Sequence, residues 1–146
     1  MPYNRYIGQK QNADPISNSD SFVRPFQTFP LYSSHIMRKI ETQMNRAIRT
    51  QANWAGSNTT VETSDNGLQS RVLLHGNHIA TYFHADRELQ IFDGGWQSNT
   101  TKSRLNALCD EFAYGCGVFQ KNWTWFVSNR LSGVTSQFFN GQTVGA

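Results

Sequence analysis

The sequence predicts an α+β protein in which an antiparallel β-sheet of about five to six strands packs against two helices. Two stretches with apolar residues at helical spacing indicate the helices, and short alternating segments between glycine-containing turns indicate the sheet. A chain of 146 residues is long enough to bury a core without disulfides or metals. We assign one domain to residues 33–146, preceded by an extended N-terminal arm at residues 1–32.

The N-terminal arm is predicted from its four prolines and from a polar, turn-rich stretch at residues 12–21. Six large apolar side chains follow within eleven positions, and these are Phe22, Val23, Phe26, Phe29, Leu31 and Tyr32. A soluble monomer rarely leaves so much contiguous apolar surface exposed. We therefore expect the arm to pack across the domain or across a neighbouring subunit, with Phe22, Phe26 and Phe29 in the contact.

The first predicted helix covers residues 34–51 and has two chemically different faces. Its apolar positions repeat with the period of an α-helix and are Ile36, Met37, Ile40, Met44, Ala47 and Ile48. Four cations lie on nearly the opposite arc, namely Arg38, Lys39, Arg46 and Arg49. This basic arc is either a surface for phosphate groups or the ordinary solvated face of a surface helix.

The sheet is predicted from short segments in which apolar and polar residues alternate. Asn66-Gly67 and Gly76-Asn77 supply tight turns between the first three segments. The predicted strands are 58–63, 69–75, 78–84, 88–92, 118–127 and 134–139.

The second predicted helix, at about residues 101–113, begins with an unusual charge pattern. A helix N-terminus carries partial positive charge and free N–H groups, so acidic residues are favoured there. This helix instead opens with Lys102 and Arg104. One explanation is an anion held by Ser98, Thr100, Thr101, Lys102 and Arg104. The other is ordinary capping by Asn99, Thr100 or Thr101, with exposed cations.

For two other groups of side chains, the sequence is compatible with a binding role as well as with a structural one. Trp123 and Trp125 share one face of the predicted strand with Lys121, which suits stacking of single-stranded bases, although alternating Trp residues are more often core. His75 and His78 flank a turn, where two imidazoles can hold a metal, but no third ligand is marked by spacing. We therefore predict polar turn residues and no metal site.

No motif in the sequence indicates catalysis, so we predict a protein that is not an enzyme and takes no cofactor. Ser/His/Asp and Cys/His motifs are missing, and so is the Gly-x-x-x-x-Gly-Lys spacing of a phosphate-binding loop. Cys109 and Cys116 fit neither redox nor zinc spacing, and Cys109 falls on an apolar helix stripe where a thiol acts as a small hydrophobe. No apolar run approaches the roughly 20 residues of a membrane span, so we expect no membrane partner.

Several segments spread over about residues 36–141 carry a family resemblance. They are Gln43-Met44-Asn45-Arg46-Ala47-Ile48, Asn53-Trp54, Asn58-Thr59-Thr60-Val61, residues 72–80, Asp93-Gly94-Gly95-Trp96, residues 100–108, and residues 117–121 with Trp123 and Trp125. In these segments the chain resembles a family of short proteins encoded by tailed bacteriophages, notably marine and cyanobacterial phages. The resemblance implies a location in the host cytoplasm or in the virion, and it implies no catalytic or binding residue.

Charge distribution leaves two hypotheses for function. The net charge is +3, but residues 1–50 hold seven Lys/Arg against three acids, while residues 51–146 hold six against seven. The basic first third favours an accessory protein that binds nucleic acid through the basic arc and the cationic helix start. The near-neutral remainder and the aromatic arm favour a virion component or interaction module, which contacts phage or host proteins or a second copy through the arm.

Overall fold

The computed structural model describes residues 37–145. The arm predicted at residues 1–32, its contacts through Phe22, Phe26 and Phe29, and the boundary at residue 33 lie outside the described residues. The helices are α1 (Lys39–Arg49) and α2 (Asn99–Phe112). The strands are β1 (Trp54–Gly56), β2 (Thr59–Thr63), β3 (Gln69–Leu74), β4 (Asn77–Phe83), β5 (Glu88–Ile91), β6 (Cys116–Lys121), β7 (Thr124–Asn129), β8 (Val134–Gln137) and β9 (Gln142–Val144).

The larger of two sheets has six antiparallel strands in the order β1-β2-β3-β4-β5-β9. Strands β2 to β5 correspond to the four predicted segments between residues 58 and 92, and together with the two helices they confirm the predicted α+β class. The short edge strands β1 and β9 were not predicted, because each has only three residues and shows too little alternation to be distinguished from a loop.

The smaller sheet corrects the strand predicted at residues 118–127. That stretch is a hairpin, β6–β7, followed by β8 in a three-stranded antiparallel sheet. Asn122 and Trp123 form the two-residue turn, and both have positive φ angles, 51° and 67°, as tight hairpin turns require. Trp123 lies in the turn and is 90% exposed, whereas Trp125 lies on β7 and is 2% exposed. They do not share a face, and the prediction that placed them together is wrong.

One core joins both helices to both sheets. Its largest buried apolar side chains are Met44, Ile48, Ile79, Leu89, Ile91, Leu105, Leu108 and Trp125. Cys109 and Cys116 are free thiols in this core, and burial raises the pKa of both. A buried protonated thiol is a poor nucleophile, which agrees with the structural role predicted for Cys109.

Helix α2 also covers the open edge of the smaller sheet. The Asn106 side-chain amide accepts the Val118 N–H at 2.8 Å and donates to the Val118 carbonyl at 2.9 Å. A single side chain thus makes both hydrogen bonds that a neighbouring strand would otherwise make to this residue. The contact fixes β6 against α2, and among residues 37–145 it leaves β8 as the free edge of this sheet.

Candidate functional site

A buried ion pair joins the two helices at a residue that the sequence assigned to an anion site. Arg104 Nη1 donates to Glu41 Oε2 at 2.8 Å, and the two side chains are 4% and 0% exposed. The remaining guanidinium nitrogens are also paired, because Nε donates to Thr59 Oγ1 at 3.0 Å and Nη2 donates to Asn58 Oδ1 at 3.2 Å. The guanidinium of Arg104 therefore points into the protein, and it is occupied by protein acceptors rather than open to an external anion.

Glu41 is paired as completely as its partner. Its Oε1 accepts the backbone N–H of Arg38 at 3.1 Å, and its Oε2 also accepts the Ser103 hydroxyl at 2.6 Å. Burial by itself raises the pKa of this carboxyl, but the hydrogen bonds from Ser103, Arg38 and Arg104 outweigh burial and hold the pKa below its ordinary value. We call the group the buried polar cluster, and it comprises Glu41, Asn58, Thr59, Ser103 and Arg104.

The buried polar cluster is the first of three contacts that align α1 with α2. Further along the helices, Asn45 Nδ2 donates to the Ala107 carbonyl at 3.0 Å, and Arg49 pairs with Glu111 at 2.7 Å. Both contacts join residues 62 apart in the sequence, as does the serine–glutamate hydrogen bond within the cluster. Because this offset is constant along both helices, α1 and α2 run in the same direction with their N-termini side by side.

Parallel packing gathers positive charge at one end of the helix pair. Each helix N-terminus carries a partial positive charge of about half a unit. The first turn of α2 has no acidic residue, and Glu41 in the first turn of α1 is neutralised inside the buried polar cluster. The constant offset also places Lys102 level with the first turn of α1. We call this region the positive end, and it comprises Arg38, Lys39, Lys102 and the two helix N-termini.

The four cations predicted on the outer arc of α1 are all exposed, and we call them the basic face: Arg38, Lys39, Arg46 and Arg49. Arg49 is partly neutralised by its salt bridge with Glu111. Within residues 37–145, no carboxylate lies within salt-bridge distance of the other three cations or of Lys102. Among the described residues, no carboxylate therefore neutralises Arg38, Lys39, Arg46 or Lys102, and these four charges are available to an external anion.

The start of α2 is capped by Ser98, rather than by Asn99, Thr100 or Thr101. Ser98 Oγ accepts the Thr101 N–H at 3.1 Å and lies 2.9 Å from the Thr101 hydroxyl, so both hydroxyl groups serve the cap. The N–H groups of Asn99 and Thr100 have no acceptor among residues 37–145. Part of the predicted anion site remains available: these two N–H groups, the Thr100 side chain and Lys102. An anion site formed by these groups stays a prediction.

The histidines near the β3–β4 turn have different surroundings. His78 Nε2 lies 2.7 Å from Thr81 Oγ1, and its ring packs on Phe92 with centroids 4.3 Å apart. Burial lowers the pKa of His78, so burial favours its neutral form. His75 lies in the turn and is exposed. Within residues 37–145, no three His, Cys, Asp or Glu side chains are grouped as metal ligands.

Sequence reasoning missed the buried pairing of Arg104, although the helical periodicity contained a signal for Arg104 and for its partner Glu41. At 100° per residue, Glu41 lies only about 20° from Ile48 on the arc of α1, and Arg104 lies about 40° from Leu108 on α2. Both charged residues thus border an apolar arc, and opposite charges at such borders are candidates for a buried pair. Asn58 and Thr59 carry no comparable signal, since polar residues are common at the start of a strand.

The fold and these contacts define a small α+β protein that has a buried ion pair between its two helices and an exposed basic face on α1. The chain belongs to the Kyanoviridae Gp96 protein family, whose sequence model matches residues 37–145. This match confirms the resemblance to proteins of cyanobacterial phages. No curated protein and no solved structure matches the chain. Neither helix in residues 37–145 is long and apolar enough to cross a membrane.

The lowered pKa of Glu41 predicts how stability depends on pH. Because the folded state holds this pKa below the unfolded value of about 4.3, the pair stabilises the fold above that pH, and the contribution is lost as pH falls through the folded pKa. We expect Glu41→Gln to lower the melting temperature at pH 7, since it leaves the Arg104 charge buried and unpaired, and to flatten the dependence of melting temperature on pH below about 4.5.

The control is Glu62→Gln, which removes an exposed carboxylate that lies 3.7 Å from Arg71. This surface pair should contribute little, so the control should melt like the parent at pH 7. A Glu41→Gln profile parallel to that of the parent from pH 7 to pH 3 would show that Glu41 is not the group that titrates.

Proposed function

We propose that this phage protein is a non-enzymatic accessory protein that binds nucleic acid through the basic face and the positive end. One observation carries the proposal: the parallel alignment of α1 and α2 places Arg38, Lys39 and Lys102 beside two helix N-termini. Cations and free N–H groups at helix starts are the groups that contact phosphate oxygens in protein–nucleic acid complexes.

The distribution of acids supports this assignment. Phosphate binding requires cations that are not already neutralised by protein carboxylates. Glu41 is the acid nearest in sequence to Arg38 and Lys39, and it is buried and paired with Arg104 rather than facing the solvent. Arg46 extends the exposed charge along α1, whereas Arg49 shares its charge with Glu111. The strongest attraction for phosphate is therefore expected at the N-terminal end of the basic face.

The same geometry predicts the character of the binding. Point charges on one face of a helix contact the backbone of a nucleic acid and do not read base edges. Binding through this surface should therefore show little sequence preference and should weaken steeply with salt, because each phosphate contact releases condensed counterions.

We expect the triple variant Arg38→Gln, Lys39→Gln, Lys102→Gln to bind a labelled 20-nucleotide strand at least tenfold more weakly than the parent at low salt. If all three residues contact phosphates, the slope of log affinity against log salt should also fall by about 2 on a single strand. Fluorescence anisotropy with DNA and RNA, each single- and double-stranded, measures both quantities.

The matched control is Arg71→Gln, Arg87→Gln, Arg130→Gln, which removes the same amount of charge from exposed residues elsewhere. When both triple variants are compared at about 0.1 M salt, the affinity of this control should stay within about twofold of the parent, because the Debye length is then about 10 Å and charges away from the bound strand are largely screened. Equal losses in the two triple variants would mean that only net charge matters. Lack of binding by the parent to all four nucleic acids at low salt would refute the proposal.

We also propose a second function, self-association through the free edge of the smaller sheet. All four residues of β8 are exposed, and within residues 37–145 this strand pairs only with β7. The strand Val134-Thr135-Ser136-Gln137 contains neither a charge nor a proline, the two features that usually protect an exposed edge from pairing. Because the strand is uncharged, a second copy can pair with it without like-charge repulsion.

Val134→Lys tests this second function by placing a charge on the edge strand. We expect the parent to form dimers as its concentration rises and the variant to remain monomeric, as measured by sedimentation velocity. Leu68→Lys is the control, because Leu68 is also exposed but lies before β3, at the start of another sheet. A parent that stays monomeric up to millimolar concentration, or a control that loses dimers equally, would contradict the proposal.

A further inference from the structure

The chain between β5 and α2 holds Trp96 in a defined place on the surface. The Trp96 N–H donates to the Asp93 carbonyl at 3.2 Å, and its own carbonyl accepts from the Ser98 N–H at 3.0 Å and from the Thr101 hydroxyl at 3.3 Å. The Asp93 carboxylate closes the same turn by accepting the Gly95 N–H at 2.8 Å. Trp96 is nevertheless 75% exposed, so a well-anchored backbone presents a bare indole ring to the solvent.

The turn also packs tightly against the sheet. Gly94 has a φ of +68°, and a Cβ at this position would lie 3.1 Å from Ile79 Cγ2 and 3.3 Å from Asn77 Cβ. Only glycine combines this backbone conformation with such a close approach. Gly94 therefore allows the chain to pass close to the start of β4, and the turn that it forms leads to the exposed Trp96.

A cleft of about 390 Å³ lies between this turn, the β3–β4 turn and the start of α2. Its apolar lining comes from Leu74 and Ile79, and Trp96 contributes an aromatic ring. Its polar lining comes from Asp93, Asn77, His75, Ser98, Thr100 and Thr101. Apolar and aromatic walls with a few hydrogen-bonding groups are typical of small-molecule sites, and this volume is at the lower end of their range.

We infer that this cleft binds one nucleotide, with its base stacked on Trp96 and its hydrogen-bonding edge toward Asp93 and Asn77. This inference rests on the proposed function, because it adds a base-binding site to a surface that otherwise contacts phosphates. The cleft includes the start of α2, where Lys102 forms part of the positive end. Because Ser98, Thr100 and Thr101 line the cleft, a nucleotide bound there lies beside the N-terminus of α2, which belongs to the positive end.

The lining favours a base over other flat ligands. A carboxylate accepts hydrogen bonds and donates none when ionised, so Asp93 selects an edge rich in N–H donors. Each Asp93 oxygen already accepts one hydrogen bond in the turn, from the Gly95 N–H at 2.8 Å and from Gln97 Nε2 at 3.3 Å, and each keeps a second lone pair. Guanine presents two donors side by side on its Watson–Crick edge, which suits these two remaining lone pairs. A sugar also stacks on tryptophan, and its hydroxyl oxygens accept hydrogen bonds. A nucleotide phosphate has in addition the negative charge that the helix N-terminus favours at the free N–H groups of Asn99 and Thr100, whereas a neutral sugar has none.

Titration calorimetry of the full chain with guanosine monophosphate, adenosine monophosphate, inorganic phosphate and glucose tests the inference. We expect the guanine nucleotide to bind most tightly. Trp96→Ala should weaken it by roughly 5- to 150-fold, the range expected for loss of one stacked base. Trp123→Ala is the matched control, because it removes an even more exposed indole, at 90%, from the β6–β7 turn, and it should leave the affinity unchanged.

Asp93→Asn separates base recognition from stacking. It keeps the size of the side chain but replaces one acceptor by a donor, so the preference for guanine over adenine should fall while stacking on Trp96 persists. Equal affinity of parent and Trp96→Ala for the guanine nucleotide would overturn the inference. Tighter binding of glucose than of either nucleotide would also overturn it and would assign the cleft to sugars.

Anisotropy of a labelled oligonucleotide distinguishes this inference from the proposed function. If the parent binds the oligonucleotide through the basic face but does not bind the mononucleotides, only the inference about the cleft fails. If it binds the guanine nucleotide in a Trp96-dependent way but no oligonucleotide, the cleft stands and the proposed function fails.

Discussion

Burying a carboxylate and a guanidinium costs several kcal/mol for each ion, unless their donors and acceptors find partners inside the protein. The buried polar cluster meets this condition, because all three guanidinium nitrogens of Arg104 and both carboxylate oxygens of Glu41 are hydrogen-bonded. These bonds come from α1, from α2 and from the start of β2. The cluster therefore restricts how the three elements can pack, since a shift of either helix by one turn would leave an ion without partners.

The parallel arrangement has a consequence for the surface. Two helix N-termini and three cations lie at one end, while Glu41, the acid in the first turn of α1, is paired inside the protein. Like charges placed together cost free energy at the surface, and the buried pair offsets that cost by fixing the helices. The turn that presents Trp96 leads directly into α2, so charge and an aromatic ring lie close to one helix start.

The sequence predicted the α+β class, both helices and four strands of the larger sheet, because periodicity and turn residues are local signals. It also predicted the exposed basic face on α1. It did not predict the hairpin at residues 122–123, since Asn122-Trp123 is not a usual turn pair and the alternation continues through it. Nor did it predict the pairing of Arg104, which depends on residues brought together from three distant parts of the chain. A helix start that looked like an anion site is partly explained by a carboxylate 63 residues away.

A double-mutant cycle on Glu41 and Arg104 tests most directly whether this pair organises the helices. The single variants Glu41→Leu and Arg104→Leu each leave one buried charge unpaired, so each should lower the free energy of unfolding by about 3–5 kcal/mol. The double variant removes both charges, and its loss should be smaller than the sum of the single losses by about 0.5–3 kcal/mol, as expected for residues in direct contact. Losses that add to within about 0.5 kcal/mol would contradict the account, because they would show that the two residues stabilise the fold independently.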